Sequence, residues 1–160
     1  MFDIILGLPV HALVIHAVVV LVPLATLSAI AYVVRPAWRR VLRWPTAVGA
    51  VIAGGTAFVA AESGEALLRR VSQVRAGTTN FELLTTHTEW GTRARLVCLV
   101  FMVLTLLCLW FARPQQDESP RGHALDMLLG TLVVLSAAAA LVTVVIAGHA
   151  GSTVVWTGLA

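Results

Sequence analysis

Six ionisable side chains have the types and the placement that are typical of a metal or cofactor site. They are four histidines and two glutamates: His11, His16, Glu62, Glu65, His87 and His149. Neutral imidazole is the commonest metal ligand among side chains, and carboxylate joins it in mixed nitrogen and oxygen sites. Two arginines, Arg93 and Arg95, carry the planar fork that binds anionic groups such as haem propionates. Whether these residues meet depends on the elements that carry them.

The composition is that of an integral membrane protein. Of 160 residues, 59% are hydrophobic and 12% are charged, and the mean hydropathy is +0.90, which is far from the balance of soluble domains. All 11 basic residues are arginines, and they flank apolar runs instead of forming a stripe. No nucleic-acid partner is therefore expected. The length suits one domain over residues 1–160.

Four apolar runs predict an all-α fold, a bundle of four transmembrane helices. We expect helices over about 10–34, 45–76, 80–112 and 124–148, because about 20 apolar residues cross a hydrocarbon core of ~30 Å. The first run is too long for the core of a signal peptide, and no basic residue precedes it. It is therefore predicted to be a retained helix.

The second and third helices are predicted to continue past the membrane edge. Apolar residues at helical spacing run on beyond Ala61, and Thr79 to Glu82 has the pattern of a capping box that starts the third helix. We expect a helical hairpin, formed by helices 2 and 3, that projects on the outer side and turns near 76–79.

Counting along each helix places the candidate residues in one layer. With a rise of ~1.5 Å per residue, a helix crosses the hydrocarbon in about 20 residues. On this count the four histidines and two glutamates lie near the outer edge, and His123 lies at the opposite face. Ionisable residues at membrane depth are costly to bury unpaired and are functional candidates. His11 and His16 are separated by ~140° around a helix, so they cannot share one stripe of ligands.

The placement of the arginines predicts the orientation. The first loop holds Arg35, Arg39, Arg40 and Arg43 and no acidic residue. Such a short basic loop favours the cytoplasmic side. Both termini are then expected outside the cytoplasm, and the candidate layer lies in the outer leaflet.

Three motifs and the segment around His87 resemble a known family. The motifs are Leu-Pro-Val-His-Ala-Leu-Val-Ile-His at 8–16, Ser-Gly-Glu at 63–65 and Gly-His-Ala-Gly-Ser-Thr-Val-Val-Trp at 148–156. They resemble the bacterial four-helix membrane domain catalogued as domain of unknown function 2231. The resemblance covers nearly the whole chain and implies a multi-pass protein of the bacterial inner (plasma) membrane. The family's typical histidines correspond to His11, His16, His87 and His149.

The family has no assigned activity, but related domains joined to cytochrome c-like or iron–sulfur modules imply redox work. We therefore favour an electron-transfer protein that holds a b-type haem between two histidines of different helices, near the outer leaflet. The lipid bilayer, a redox protein and further copies of the chain are the candidate partners. Whether the protein is an enzyme stays open at this point.

Two alternatives remain beside haem. One is non-haem iron, copper or zinc bound by the histidines together with Glu62 or Glu65. The other is a cofactor-free assembly or scaffold subunit, or a proton-relay element, in which the polar residues satisfy one another. Covalent c-type haem is excluded because the sequence lacks a Cys-x-x-Cys-His motif.

Overall fold

The computed structural model is helical almost throughout the part of the chain that it describes, residues 4–5, 8–74, 81–111 and 120–157. The elements, in chain order, are β1 (Ile4–Ile5), β2 (Leu8–Pro9), α1 (Val10–Val34), a short 3-10 helix (Pro36–Trp38), α2 (Arg39–Val74), α3 (Phe81–Phe111) and α4 (Pro120–Thr157). β1 and β2 form a small antiparallel pair in which Ile5 lies opposite Leu8. This pair leads directly into α1.

The predicted all-α bundle of four transmembrane helices is confirmed. The spans long and apolar enough to cross a membrane are Val10–Val34, Pro36–Arg69, Glu82–Phe111 and Gly122–Trp156. The chain is thus a multi-pass membrane protein. α2 begins at Arg39 and contains Pro45, and α4 runs on to Thr157. The predicted turn at 76–79 lies outside the described residues, so the projecting hairpin remains a prediction.

The helices are arranged in a ring in which each packs against its neighbours in sequence and α4 closes against α1. α1 and α2 are antiparallel, as shown by contacts between Ser28 and Thr46 near one end and between His11 and Ala60 near the other. In this ring α1 and α3 are diagonal partners. Side chains from these two helices can meet only at the bundle axis.

Small residues hold the helices close together. Ala50, Ala53 and Ala137 are fully buried, and larger side chains such as Phe101 and Val22 fill the spaces between them. Close approach of backbones is the main source of helix association in lipid, where the surroundings are as apolar as the core. The same closeness leaves little room for polar side chains, so the places where they occur inside the ring are informative.

Polar side chains enter the ring at both ends of the bundle. We call one the arginine end, which holds Arg35, Arg39, Arg40 and Arg43. There Arg39 of α2 forms an ion pair with Asp126 of α4 at 2.8 Å, and its guanidinium carbon lies 5.5 Å from the centre of the Tyr32 ring. We call the other the histidine end, which holds His11 and His87.

Candidate functional site

Two of the four predicted histidines meet across the bundle axis. His11 near the start of α1 and His87 near the start of α3 have ring centroids 6.1 Å apart and ring planes inclined at 75°. Both side chains are half-buried. Because α1 and α3 are diagonal, this contact lies between α2 and α4. The structure thus brings one imidazole from each of two separate helices to the axis at the histidine end.

Each ring of the pair is anchored by a backbone carbonyl of the following helix. His11 Nδ1 lies 2.8 Å from the oxygen of Ala60 in α2, and His87 Nδ1 lies 3.0 Å from the oxygen of Ala147 in α4. A carbonyl oxygen can only accept a hydrogen bond, so Nδ1 of each neutral ring carries the proton. Nε2 of each ring is left with its lone pair. A hydrogen bond from the other ring nitrogen to a carbonyl is what orients histidines that bind metals.

A glycine beneath each ring makes this anchoring possible. A Cβ atom added at Gly64 would lie 2.8 Å from His11 Cε1, and one added at Gly151 would lie 2.8 Å from His87 Cε1. Real Cβ atoms essentially never approach that closely, so any larger residue forces the ring to move. Gly55 and Gly148 are different, because a Cβ atom there meets nothing within 4 Å.

The two halves of the chain repeat the same arrangement of a histidine, a backbone carbonyl and a glycine. In each half a histidine near the start of one helix lies against the next helix, at an alanine whose carbonyl accepts the hydrogen bond and at a glycine four residues later. The pairs are Ala60 with Gly64 and Ala147 with Gly151. Four residues make about one helical turn, so the carbonyl and the glycine lie on the same face. The two imidazoles therefore have nearly equivalent surroundings.

The predicted carboxylates are engaged by an arginine. Arg95 of α3 contacts Glu62 at 2.7 Å and Glu65 at 3.8 Å, and its side chain is only 19% exposed. Glu65 also lies 3.8 Å from Arg69. Within the described residues, no group of three or more His, Cys, Asp or Glu side chains is placed to hold a metal ion. Of the six residues predicted to cluster, only the His11 and His87 imidazoles lie together at the bundle axis.

The other predicted residues lie away from the pair. His16 is exposed on α1, and its Nδ1 bonds to the carbonyl of Ala12 in its own helix at 2.6 Å. His149 is exposed on α4. Arg93 lies at the surface, 3.5 Å from Glu89 and 4.7 Å from the centre of the Trp90 ring. These three side chains point outward, and their predicted depth near the outer edge of the membrane stays a prediction.

The supporting residues were not identified from the sequence. Ala60, Gly64, Ala147 and Gly151 carry no ionisable group, and only their spacing marks them. Both glycines do lie inside motifs that carried the family resemblance, Ser-Gly-Glu and Gly-His-Ala-Gly. They could have been found by their spacing, because an alanine and a glycine lie four residues apart on the helix that follows each histidine.

The comparisons with known proteins agree with the fold. A family model described as a predicted membrane protein, DUF2231, matches residues 7–159. No curated protein and no solved structure matches the chain.

Proposed function

The chain belongs to the DUF2231 family of predicted membrane proteins, and on that premise we propose that it is a membrane-embedded electron-transfer protein. In this proposal a b-type haem is bound by His11 and His87. The observation that carries it is the pair of imidazoles at the bundle axis, each with Nδ1 bonded to a carbonyl. Nε2 of each ring, for which the described residues provide no hydrogen bond, is the atom that would hold the haem iron.

The spacing of the two rings fits a shared metal. Two imidazoles that share one metal ion have ring centres no more than about 6 Å apart, given a metal–nitrogen bond of ~2.0 Å and ~1.1 Å from the nitrogen to the ring centre. The ring centroids of His11 and His87 are separated by 6.1 Å. The donor set fits as well, because two neutral imidazoles from different helices are a typical ligand pair for an electron-transferring iron in a helix bundle.

A haem in this position would supply the one-electron chemistry, and the protein would supply the surroundings. Ala60 and Ala147 fix the tautomer of each ring, and Gly64 and Gly151 provide the space in which the rings lie. Ala94, which lies about two helical turns farther into the bundle than His87, is buried and would restrict water on the hydrocarbon side. Arg95 is positioned at the same end by Glu62 and is a candidate partner for an anionic edge group.

Electron transfer is favoured over catalysis because a haem held by two imidazoles would supply one-electron chemistry. His11 and His87 are half-buried, so electrons can reach the pair from a redox protein at the histidine end. If the first loop is cytoplasmic, as its arginines indicate, that partner is extracytoplasmic. The plasma membrane of a bacterium is the location that we propose.

An alternative proposal is a single non-haem ion, iron, copper or zinc, held by the same two imidazoles and Glu65. It is favoured by one observation, that Glu65 follows Gly64 directly and lies farther from Arg95 than Glu62 does, 3.8 Å against 2.7 Å. Glu65 is therefore the more readily released of the two carboxylates. Mixed nitrogen and oxygen ligation of this kind does not select among the three metals.

A spectrum and an elemental analysis of the same sample separate these proposals. The full chain is produced in cells supplied with haem precursors and metals, purified in mild detergent and measured oxidised and after reduction with dithionite. Haem predicts a Soret band that shifts on reduction, with iron in proportion to haem. One equivalent of metal without a Soret band supports the alternative. If neither haem nor stoichiometric metal is found, the cofactor proposals fail and the structural subunit is the remaining candidate.

A further inference from the structure

A separate feature lies midway along the bundle, on its outer surface between α1 and α2. It is an apolar cavity of about 220 Å³. Its lining consists of Leu21, Leu24, Ala25, Ser28, Pro45, Gly49 and Ile52. The single hydroxyl in this lining, that of Ser28, is already hydrogen-bonded to Thr46 at 2.7 Å. A ligand in the cavity would therefore make apolar contacts, and no polar group in the lining would be left without a hydrogen bond.

Small residues form the back of the cavity, and large exposed residues form its rim. A Cβ atom at Gly49 would lie 3.5 Å from Ala25 Cβ, so the two helices nearly touch at that point. On the rim, Leu24 is 58% exposed and Ile52 is 42% exposed. Both belong to membrane spans, so the opening faces lipid. A hydrocarbon chain is the ligand that such a cavity takes.

An arginine lies at the arginine end of the same face. Arg35 is seven residues beyond Ser28, which is about two helical turns along the cavity side of α1. Trp38 is likewise seven residues before Pro45. The guanidinium carbon of Arg35 lies 5.6 Å from the centre of the Trp38 ring, and both side chains are exposed. A cation held against an aromatic ring thus lies in line with the cavity.

Among the described residues at this end of the bundle, basic side chains outnumber acidic ones. No acidic residue occurs between Asp3 and Glu62 in the sequence. Asp126 reaches this end from α4, but it is paired with Arg39. Within the described residues, no ion pair is recorded for Arg35. A negatively charged group beside Arg35 would therefore meet mainly basic side chains among the described residues, and basic pockets between membrane helices are known to bind anionic headgroups.

We propose that α1 and α2 form a binding site for one anionic phospholipid. One acyl chain occupies the cavity, and the phosphate is bound by the Arg35 guanidinium, which Trp38 holds at the level of the headgroups. Arg40 and Arg43 contribute little to this site, because helical spacing places them on other faces of α2 than Pro45, Gly49 and Ile52. The site is independent of the histidine pair and of any cofactor there.

Retention of bound lipid, measured by native mass spectrometry, tests the proposal. The full chain is reconstituted with equal amounts of phosphatidylglycerol, cardiolipin and phosphatidylcholine, then extracted in mild detergent. Arg35→Gln removes the phosphate contact, and Ile52→Trp fills the cavity. Arg40→Gln is the control for charge, since it removes an arginine from the same region. Val51→Trp is the control for bulk, because Val51 is 50% exposed and does not line the cavity.

The wild-type protein is expected to retain an anionic lipid in preference to phosphatidylcholine. Arg35→Gln should lower that retention about fivefold, as expected for the loss of one arginine near a charged headgroup. Ile52→Trp should lower the retention of all three lipids, because it fills the cavity that holds the acyl chain. Both controls should retain lipid as the wild type does. Equal losses in Arg35→Gln and Arg40→Gln would show bulk attraction instead of a site, and no preference for anionic lipid would overturn the proposal.

Discussion

Each end of the bundle holds polar side chains inside a ring of membrane-spanning helices, and the two ends satisfy them differently. At the arginine end, Arg39 and Asp126 bind each other at 2.8 Å and Tyr32 lies against the guanidinium. At the histidine end, His11 and His87 bond to backbone carbonyls through Nδ1, so each ring keeps an unused Nε2. The arginine end is held by its own ion pair, although Arg39 Nε is buried without a hydrogen-bond partner among the described residues, whereas the histidine end retains two imidazole nitrogens that could bind a ligand.

The repeat of alanine and glycine supports this difference. An ion pair needs only two complementary residues, and the arginine end contains one such pair. At the histidine end the same support is built twice, once around Ala60 and Gly64 and once around Ala147 and Gly151. Two equivalent imidazoles are what a ligand bound symmetrically between them requires. The comparison therefore favours a structural role for the arginine end and binding at the histidine end, where the ion pair of Arg95 with Glu62 also contributes to stability.

The largest effect on stability is expected at the arginine end. Asp126→Ala leaves Arg39 in the ring without its partner, and we expect the free energy of unfolding to fall by about 2 kcal/mol. This is below the ~3–5 kcal/mol of a fully buried pair, because both side chains are 26% exposed. The measurement is unfolding in mixed detergent. Glu89→Gln is the control, since its ion pair with Arg93 is exposed and should contribute little.

The comparison also predicts that Asp126→Ala leaves the histidine end intact. Any cofactor bound by the wild-type protein should remain at the same stoichiometry and with the same spectrum. Loss of the cofactor from this variant, at a temperature where the bundle is still folded, would show that the two ends are coupled and would contradict the division of roles.

The next largest effect on stability is expected for glycine substitutions at the histidine end. Gly64→Ala and Gly151→Ala each place a Cβ atom 2.8 Å from an imidazole carbon. The ring must move and weaken its bond to the carbonyl, at a cost of about 1 kcal/mol, the lower end of the range for overpacked sites, because both rings are only half-buried. We expect most of the bound cofactor to be lost in both variants. Cofactor content and thermal unfolding are the measurements.

Matched controls for these variants lie on the same two helices. Gly55→Ala in α2 and Gly148→Ala in α4 add a Cβ atom that meets nothing within 4 Å. Alanine is favoured over glycine inside a helix by roughly 0.5–1 kcal/mol, so these variants should be as stable as the wild type or slightly more stable. If all four substitutions behave alike, the glycines under the rings have no special role.

The smallest effects on stability are expected when the carboxylates of Glu62 and Glu65 are replaced. Glu62→Gln and Glu65→Gln remove ion pairs with Arg95 in which the glutamates are 52% and 38% exposed. Such pairs contribute ~0.2–1 kcal/mol, and under the haem proposal the bound cofactor is unchanged. Elemental analysis of both variants checks this. A loss of bound metal in Glu65→Gln alone would instead favour the non-haem ion with a carboxylate ligand.

The sequence predicted the class of fold, which is confirmed, and a common depth in the bilayer for the candidate residues, which stays a prediction. Apolar runs such as the one that became α1 are set by the thickness of the bilayer, and the rise per residue converts position into depth. His11, His87 and His149 accordingly lie at one end of the bundle. Because their depths are similar, depth alone could not select the two that form the pair.

The rotation of each helix was harder to predict because lipid is as apolar as the core. A helix in water shows its buried face by its pattern of apolar residues, but α1 and α4 are apolar on every side. His149 could therefore not be assigned to the outside, where the structure places it. The anchors at Ala60 and Ala147 are backbone atoms, and every residue has a carbonyl. Only the glycines four residues later distinguish these two positions.

The central claim, that His11 and His87 together bind one cofactor, is tested most directly by four single alanine variants. Haem and metal are quantified in His11→Ala, His87→Ala, His16→Ala and His149→Ala, each purified as a folded protein. We predict that the first two variants lose the bound species and its spectrum, and that the last two keep it at the wild-type stoichiometry. Retention of the cofactor in both His11→Ala and His87→Ala, or its loss only in His16→Ala or His149→Ala, would contradict the account.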